Sequence, residues 1–193
     1  GPGKGALAHL LTAQYPCEYI AVEAAETGSR RLREQGIPVI QAPVPPFPIQ
    51  NASVDFVIAA MVVEHLPDRR AVVDFMHEAR RVLKPEGLLI LRVPDVLDWG
   101  PYFHHDYTHT IAFTGHALRD LASDTGWDVL DCIWTRASFS GLAGHLLGIV
   151  RRCIPWSLLA RIESGYPDQG KYSKALTTLM SGINLVAQKP QDG

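Results

Sequence analysis

Three groups of residues in this chain have the types and spacing to do chemistry. The first is the turn Gly1-Pro2-Gly3-Lys4-Gly5, which leads directly into the helical run Ala6-Leu7-Ala8-His9-Leu10-Leu11. Glycines there let the backbone approach a ligand closely and reach positive φ. The helix that follows presents free N–H groups and a partial positive charge. The second is Glu23, 18 residues beyond Gly5 and at the end of the apolar run Tyr19-Ile20-Ala21-Val22. A carboxylate at a strand tip can accept two hydrogen bonds from a ribose-type diol. Glu26 is near but lies past the strand end. The third is Tyr102-Phe103-His104-His105-Asp106-Tyr107-Thr108-His109. An imidazole in that stretch is a candidate proton acceptor near neutral pH, and Asp106 with His109 is the preferred catalytic pair. No helix-borne histidine pair and no cysteine partner accompanies the cluster, so no metal site is expected.

These groups must be held by strands and helices, and the chain alternates them. Helices are expected at Ala6–Tyr15, Thr27–Gln35, Arg69–Leu83 and His116–Thr125, from capping residues and apolar residues at helical spacing. Strands are expected at Tyr19–Val22, Pro38–Ile40, Val54–Ala60, Leu88–Val93, Trp127–Ile133 and Ile183–Ala187. The four prolines between Ala42 and Ser53 make that stretch a loop, and Lys84-Pro85-Glu86-Gly87 reads as a turn. Val54–Ala60 and Leu88–Val93 are continuous apolar runs, the pattern of strands buried on both faces in a parallel sheet. The fold class is α/β, a doubly wound, mostly parallel sheet with an antiparallel last strand. A glycine turn of this kind normally follows a buried strand. The chain therefore reads as a fragment with its first strand missing, and without that strand it is expected to be barely stable.

Composition limits the remaining possibilities. The 193 residues are 47% hydrophobic and 20% charged, with 18 Lys+Arg against 20 Asp+Glu. A net charge of −2 lacks the global basic footprint of a non-specific nucleic-acid binder, and no nucleic-acid partner is expected. Cys17, Cys132 and Cys153 are scattered, form no CxxC pair and read as reduced thiols. With no membrane-spanning run and no signal peptide, the expected location is cytoplasmic.

The turn itself leaves two ligands open. Read as G-x-G-x-G it suits S-adenosylmethionine; read as G-x-G-x-x-A, through Ala6, it fits a dinucleotide. Two further segments bear on the choice: Met61-Val62-Val63-Glu64-His65-Leu66-Pro67-Asp68, and Arg81-Val82-Leu83-Lys84-Pro85-Glu86-Gly87-Leu88-Leu89-Ile90. With the glycine turn and Glu23, they resemble the class I S-adenosylmethionine-dependent methyltransferases. The likeness is to the small-molecule and glycan-type subgroup with an "EHL" segment and an "LKPGG" turn. It covers about residues 1–135 and again 183–190.

The resemblance implies S-adenosylmethionine as cofactor and a role for each matching residue. Gly1, Gly3 and Gly5 would surround the methionine part and ribose, and Glu23 would take the ribose hydroxyls. Gln41 and Ala42 match the loop near the adenine, where the family commonly has Asp, so Gln41 departs from the pattern. Ala60 and Met61 match the segment beside the methionine portion. Glu64 and His65 would be structural more often than catalytic.

The implied reaction is methyl transfer to a small-molecule or glycan-type acceptor, at oxygen in preference to nitrogen. The rival reading is a non-catalytic binding or scaffold module of the same fold. The expected organisation is a cofactor-binding core over residues 1–137, a helical insertion or lid over 138–180, and the last strand with a tail over 181–193. Leu142, Leu146, Trp156, Arg151, Arg152 and Arg161 give the stretch 139–161 the composition of a segment that could touch a membrane surface peripherally.

Overall fold

A computed structural model describes residues 1–136 and 180–191, with the side chain of Arg136 excepted. The helices are α1 (Ala6–Gln14), α2 (Glu26–Glu34), α3 (Arg69–Val82), α4 (Val96–Trp99) and α5 (Gly115–Asp124). The strands are β1 (Ala21–Glu23), β2 (Val39–Gln41), β3 (Val54–Ala60), β4 (Leu83–Pro94), β5 (Asp128–Arg136) and β6 (Ser181–Gln188). The expected lid over 138–180 and the membrane-contact stretch 139–161 lie outside the described residues, apart from Met180.

The strands form a four-stranded sheet of order β3-β4-β6-β5 and a two-stranded sheet of β1 and β2. β1 pairs with β2 in parallel, and β3 pairs with β4 in parallel, whereas β6 runs antiparallel to both β4 and β5. The α/β class, the dominant parallel direction and the antiparallel last strand thus all hold. β6, last among the described elements, lies inside the sheet with a hydrogen-bonded neighbour on each side.

The core follows from side-chain period. In β4, Leu89, Leu91 and Val93 point to one face, and in β6 Ile183, Leu185 and Ala187 do the same; all six are fully buried. α3 covers that face with Val72, Phe75, Met76, Ala79 and Val82, the i, i+3, i+4 stripe of an amphipathic helix. Its start is fixed by Asp68, whose side chain accepts the Ala71 N–H at 2.8 Å. α5 is capped in the same way by Thr114 and buries Leu118 and Ala122. Arg81, near the end of α3, donates to the carbonyls of Phe47 and Ile49 and pairs with Glu78, whose carboxylate accepts the Phe47 N–H. That cluster pins the proline-rich loop, which cannot use ladder hydrogen bonds of its own.

Two expectations are corrected here. Lys84–Gly87 is not a separate turn before a strand. β4 already begins at Leu83, which pairs with Val54, and the register then jumps so that Leu88 pairs with Phe56. Glu86, at φ 63°, makes the bend inside the strand. Nor is β3 buried on both faces: Phe56 is 59% and Ile58 39% exposed. Among the described residues β3 has a strand partner on one side only, and the two sheets share no ladder. Between them lies an apolar cavity of about 250 Å³, lined by Ile20 and Val22 on one side and by Phe56, Ile58 and Phe75 on the other.

Because Leu185 is fully buried at the centre of the sheet, Leu185→Ala should lower unfolding stability by about 2–5 kcal/mol. Leu97→Ala, at a side chain 79% exposed, should stay within about 0.5 kcal/mol of the parent. Urea unfolding of both variants gives the comparison.

Candidate functional site

All parallel strands of an α/β sheet end on one side, and the loops leaving those ends border the ligand crevice. The expected site residues occupy these ends: Glu23 closes β1, Gln41 closes β2, Ala60 closes β3 with Met61 just after it, and the histidine segment follows β4. Gly1, Gly3 and Gly5 lead into α1, and Gly3 and Gly5 hold φ at 57° and 82°. At Gly5 an added Cβ would also press on Ile37 and Gln35, so both the backbone angle and the available space call for glycine.

The glycine turn and Glu23 do come together. A Cβ on Gly1 would sit 3.1 Å from Glu23 Oε2, so the turn lies directly against the carboxylate. Glu23 Oε1 accepts the Ala25 N–H at 2.9 Å, which orients the group and leaves Oε2 toward Gly1. Gln41 stands beside Glu23 in the β1–β2 register and is exposed, and the Ala42 N–H donates to the Glu23 carbonyl. Gly1, Gly3 and Ala60 also line the cavity between the sheets. A small-residue cradle beside a carboxylate with a free oxygen is chemistry that fits a nucleoside with a ribose diol.

The second half of the site is built by one carbonyl. The backbone oxygen of Glu64, in the short 3-10 turn Val63–His65, accepts the N–H groups of Thr110 and Ile111 and the Thr110 hydroxyl. The Thr110 hydroxyl also contacts the Leu66 carbonyl. This draws the loop after β4 onto the turn after β3, and the rings of His65 and His109 end with centroids 4.7 Å apart. His109 Nδ1 lies 2.8 Å from the Phe103 carbonyl. A carbonyl only accepts, so Nδ1 carries the hydrogen and Nε2 the lone pair. His65 Nδ1 faces both the Thr108 carbonyl and Thr108 Oγ1, the latter at 2.8 Å, and the same argument leaves its Nε2 free.

Asp106 does not join His109 by a side-chain hydrogen bond. Its Oδ1 accepts the Thr108 N–H at 2.9 Å and the Thr108 hydroxyl at 2.6 Å, and only its backbone carbonyl serves His109, through the His109 N–H. Those Thr108 bonds hold the Asp106 carboxyl below its usual range. The chain of contacts therefore runs Asp106, Thr108, His65. His65 is itself held below the ordinary imidazole value by burial first and by the neighbouring His109 second.

Glu64 is the residue that sequence reasoning undervalued. Its side chain is fully buried, and neither carboxylate oxygen has a hydrogen-bond partner. The N–H groups of Val62 and Glu64 lie near enough to favour its charge, but neither reaches hydrogen-bonding geometry. Burial pushes its pKa up to about 7. Glu64, His65 and His109 bring one donor atom each to within 4.8 Å of one another. No local signal shows this, since His109 is 45 residues from Glu64.

Comparison with known proteins bears on the same elements. Residues 1–91 match the family described as "Methyltransferase domain". The Probable S-adenosylmethionine-dependent methyltransferase of Mycobacterium tuberculosis strain H37Rv is 33% identical over 137 residues, which is 68% of this chain and 48% of that protein. A protein named likewise from Mycolicibacterium smegmatis is 31% identical over 88 residues, 45% of this chain and 33% of its own length. The chain spans about half the length of the M. tuberculosis relative, or less of the other. Among solved structures, a methyltransferase from Archaeoglobus fulgidus superposes with TM-score 0.67 at 15% identity, covering 98% of this chain and 83% of that one. The cyclopropane synthase MmaA2 of M. tuberculosis gives TM-score 0.66 at 15% identity, covering 98% and 76%. At such identities these neighbours establish the shared fold alone.

The buried acid sets a pH signature. The folded Glu64 keeps its proton until about pH 7, whereas the unfolded side chain releases it near 4.5. Stability should therefore fall as pH rises from about 4.5 to 7 and level off above, by a total on the order of 3 kcal/mol. Glu64→Gln should remove that slope, as read from urea unfolding at pH 5 and pH 8.

Proposed function

We propose that this chain is a member of the class I S-adenosylmethionine-dependent methyltransferases, a reading supported by the match of residues 1–91, by the 33% identical relative and by the shared fold. From that premise we propose that it transfers a methyl group to a small-molecule or glycan-type acceptor, at an oxygen atom. The observation that carries the reading is the contact of the glycine turn with Glu23, 3.1 Å from a Gly1 Cβ to Oε2. When bound there, S-adenosylmethionine supplies a methyl group on a positively charged sulfur, already electrophilic enough that the protein's main tasks are alignment and exclusion of water.

Gly1, Gly3 and Gly5 would let the backbone lie close to the cofactor, and Glu23 would accept the ribose hydroxyls. Gln41 and Ala42 would border the adenine, where the Gln41 amide oxygen can accept from an amino group. Ala60 and Met61 would flank the methionine portion. For a hydroxyl acceptor a base must take the proton as the new C–O bond forms and the C–S bond breaks. His109 is proposed for that role: it presents a lone pair at Nε2, because its Nδ1 hydrogen is committed to the Phe103 carbonyl. Asp106 is proposed as a positioning residue, acting through Thr108 on the orientation of His65.

The test is a thermal-shift titration of the full chain with S-adenosylmethionine, S-adenosylhomocysteine and NAD in parallel. Each of the first two, at 100 times its dissociation constant, should add about 2.7 kcal/mol, or roughly 5–10 °C, and NAD should add nothing. A shift with NAD alone would overturn the assignment of the glycine turn; no shift with any of the three would sink the reading in favour of a scaffold. Glu23→Ala should weaken S-adenosylmethionine binding by about tenfold to 150-fold, the value of one or more hydrogen bonds to a charged acceptor. Isothermal titration measures it.

A further inference from the structure

We propose that Glu64, His65 and His109 form a binding site for one divalent first-row transition ion of the zinc class. Three observations converge on it. The donor atoms of the three side chains already lie within 4.8 Å of one another. The Glu64 carboxylate is completely buried with both oxygens unpartnered, a costly arrangement that a cation would relieve. Both histidines have Nδ1 engaged by an oxygen, the Phe103 carbonyl for His109 and Thr108 for His65, which fixes each ring and leaves it a second nitrogen with an available lone pair.

The Asp106–Thr108–His65 chain has the form of the outer contacts that orient metal-bound histidines elsewhere. Two imidazole nitrogens and one carboxylate suit Zn²⁺, Co²⁺ or Fe²⁺, and they are a poor set for Mg²⁺ or Ca²⁺, which prefer oxygen alone. Bonds of about 2.0–2.2 Å at tetrahedral angles set donors about 3.3–3.6 Å apart, so side-chain rotations that move the donor atoms by about an ångström would complete the set. His65 is exposed and gives the ion a route in.

Three protein ligands leave coordination positions open, where a water or a hydroxyl would bind with its proton made more acidic. With an ion bound, the His109 Nε2 lone pair would be held by it and could not also take a proton, so the ion site and the base role of His109 are alternative uses of one nitrogen; the ion site is defined by ligand chemistry alone.

The test reads metal, not turnover. The full chain is stripped with chelator, dialysed and titrated with Co²⁺ while visible d–d absorption is followed. The expected result is a saturable spectrum at one ion per chain, bleached by Zn²⁺ and untouched by a large excess of Mg²⁺. His109→Ala and His65→Ala should each weaken Co²⁺ binding by about 30-fold or more, and Glu64→Gln likewise. His77→Ala and His116→Ala, at exposed helix positions, should leave it unchanged. Should Glu64→Gln fail to fold, the His65 and His109 variants still decide the matter. Absence of a saturable spectrum would overturn the proposal, as would binding that survives both of those variants or is lost with His77 or His116. Because the cofactor titration measures a separate ligand, failure of either reading is distinguishable from failure of the other.

Discussion

The Glu64 carbonyl holds the histidine half of the candidate site together. Three donors from Thr110 and Ile111 converge on it, and through them the loop leaving β4 is fastened to the turn leaving β3. Without that junction His109 would have no reason to lie beside His65, since 44 residues and a whole helix separate them in the chain. Backbone groups buried in a loop must find partners or carry a desolvation penalty. Here the partners come from the neighbouring strand end, so satisfying the backbone also assembles the side chains.

The same turn concentrates an electrostatic problem. Fully burying a carboxylate without a donor opposes folding, and the group responds by holding its proton to about pH 7. Most of the polar groups around it are better served: Asp106 has Thr108, His109 has Phe103, and His65 has Thr108. An unpaired acid in an otherwise satisfied neighbourhood marks a place where stability yields to another requirement. Core packing absorbs the cost, with the buried faces of β4 and β6 sealed by α3 and α5.

What the sequence revealed follows from which signals are local. The sequence predicts Val54–Ala60 with the bounds observed, and Arg69–Val82 to within one residue, because a continuous apolar run and a capped amphipathic stripe are each written in adjacent residues. The contact between the glycine turn and Glu23 was legible for a similar reason, as one helix and one strand bridge them. Exposure of β3 was not legible, since residue types report apolarity and not whether a neighbouring strand is present. Lys84–Gly87 misled because proline and glycine mark a bend equally well inside a strand and between elements. In the histidine segment, proximity in sequence suggested Asp106 with His109, yet the short Asp106–Thr108 spacing let a local hydroxyl and N–H capture the carboxylate first.

Strand ends and loops thus divide the work differently on the two sides of the site. The glycine-turn side rests on β1, β2 and the start of α1, whose geometry is set by ladder and helix hydrogen bonds and by two positive-φ glycines. Its precision comes from regular structure, so it can be read from spacing. The histidine side rests on a 3-10 turn and a loop joined by side chains and single carbonyls, so its precision comes from long-range contacts. A substitution in the loop can therefore alter the chemistry without disturbing the sheet, while one in the glycine turn cannot be absorbed so locally.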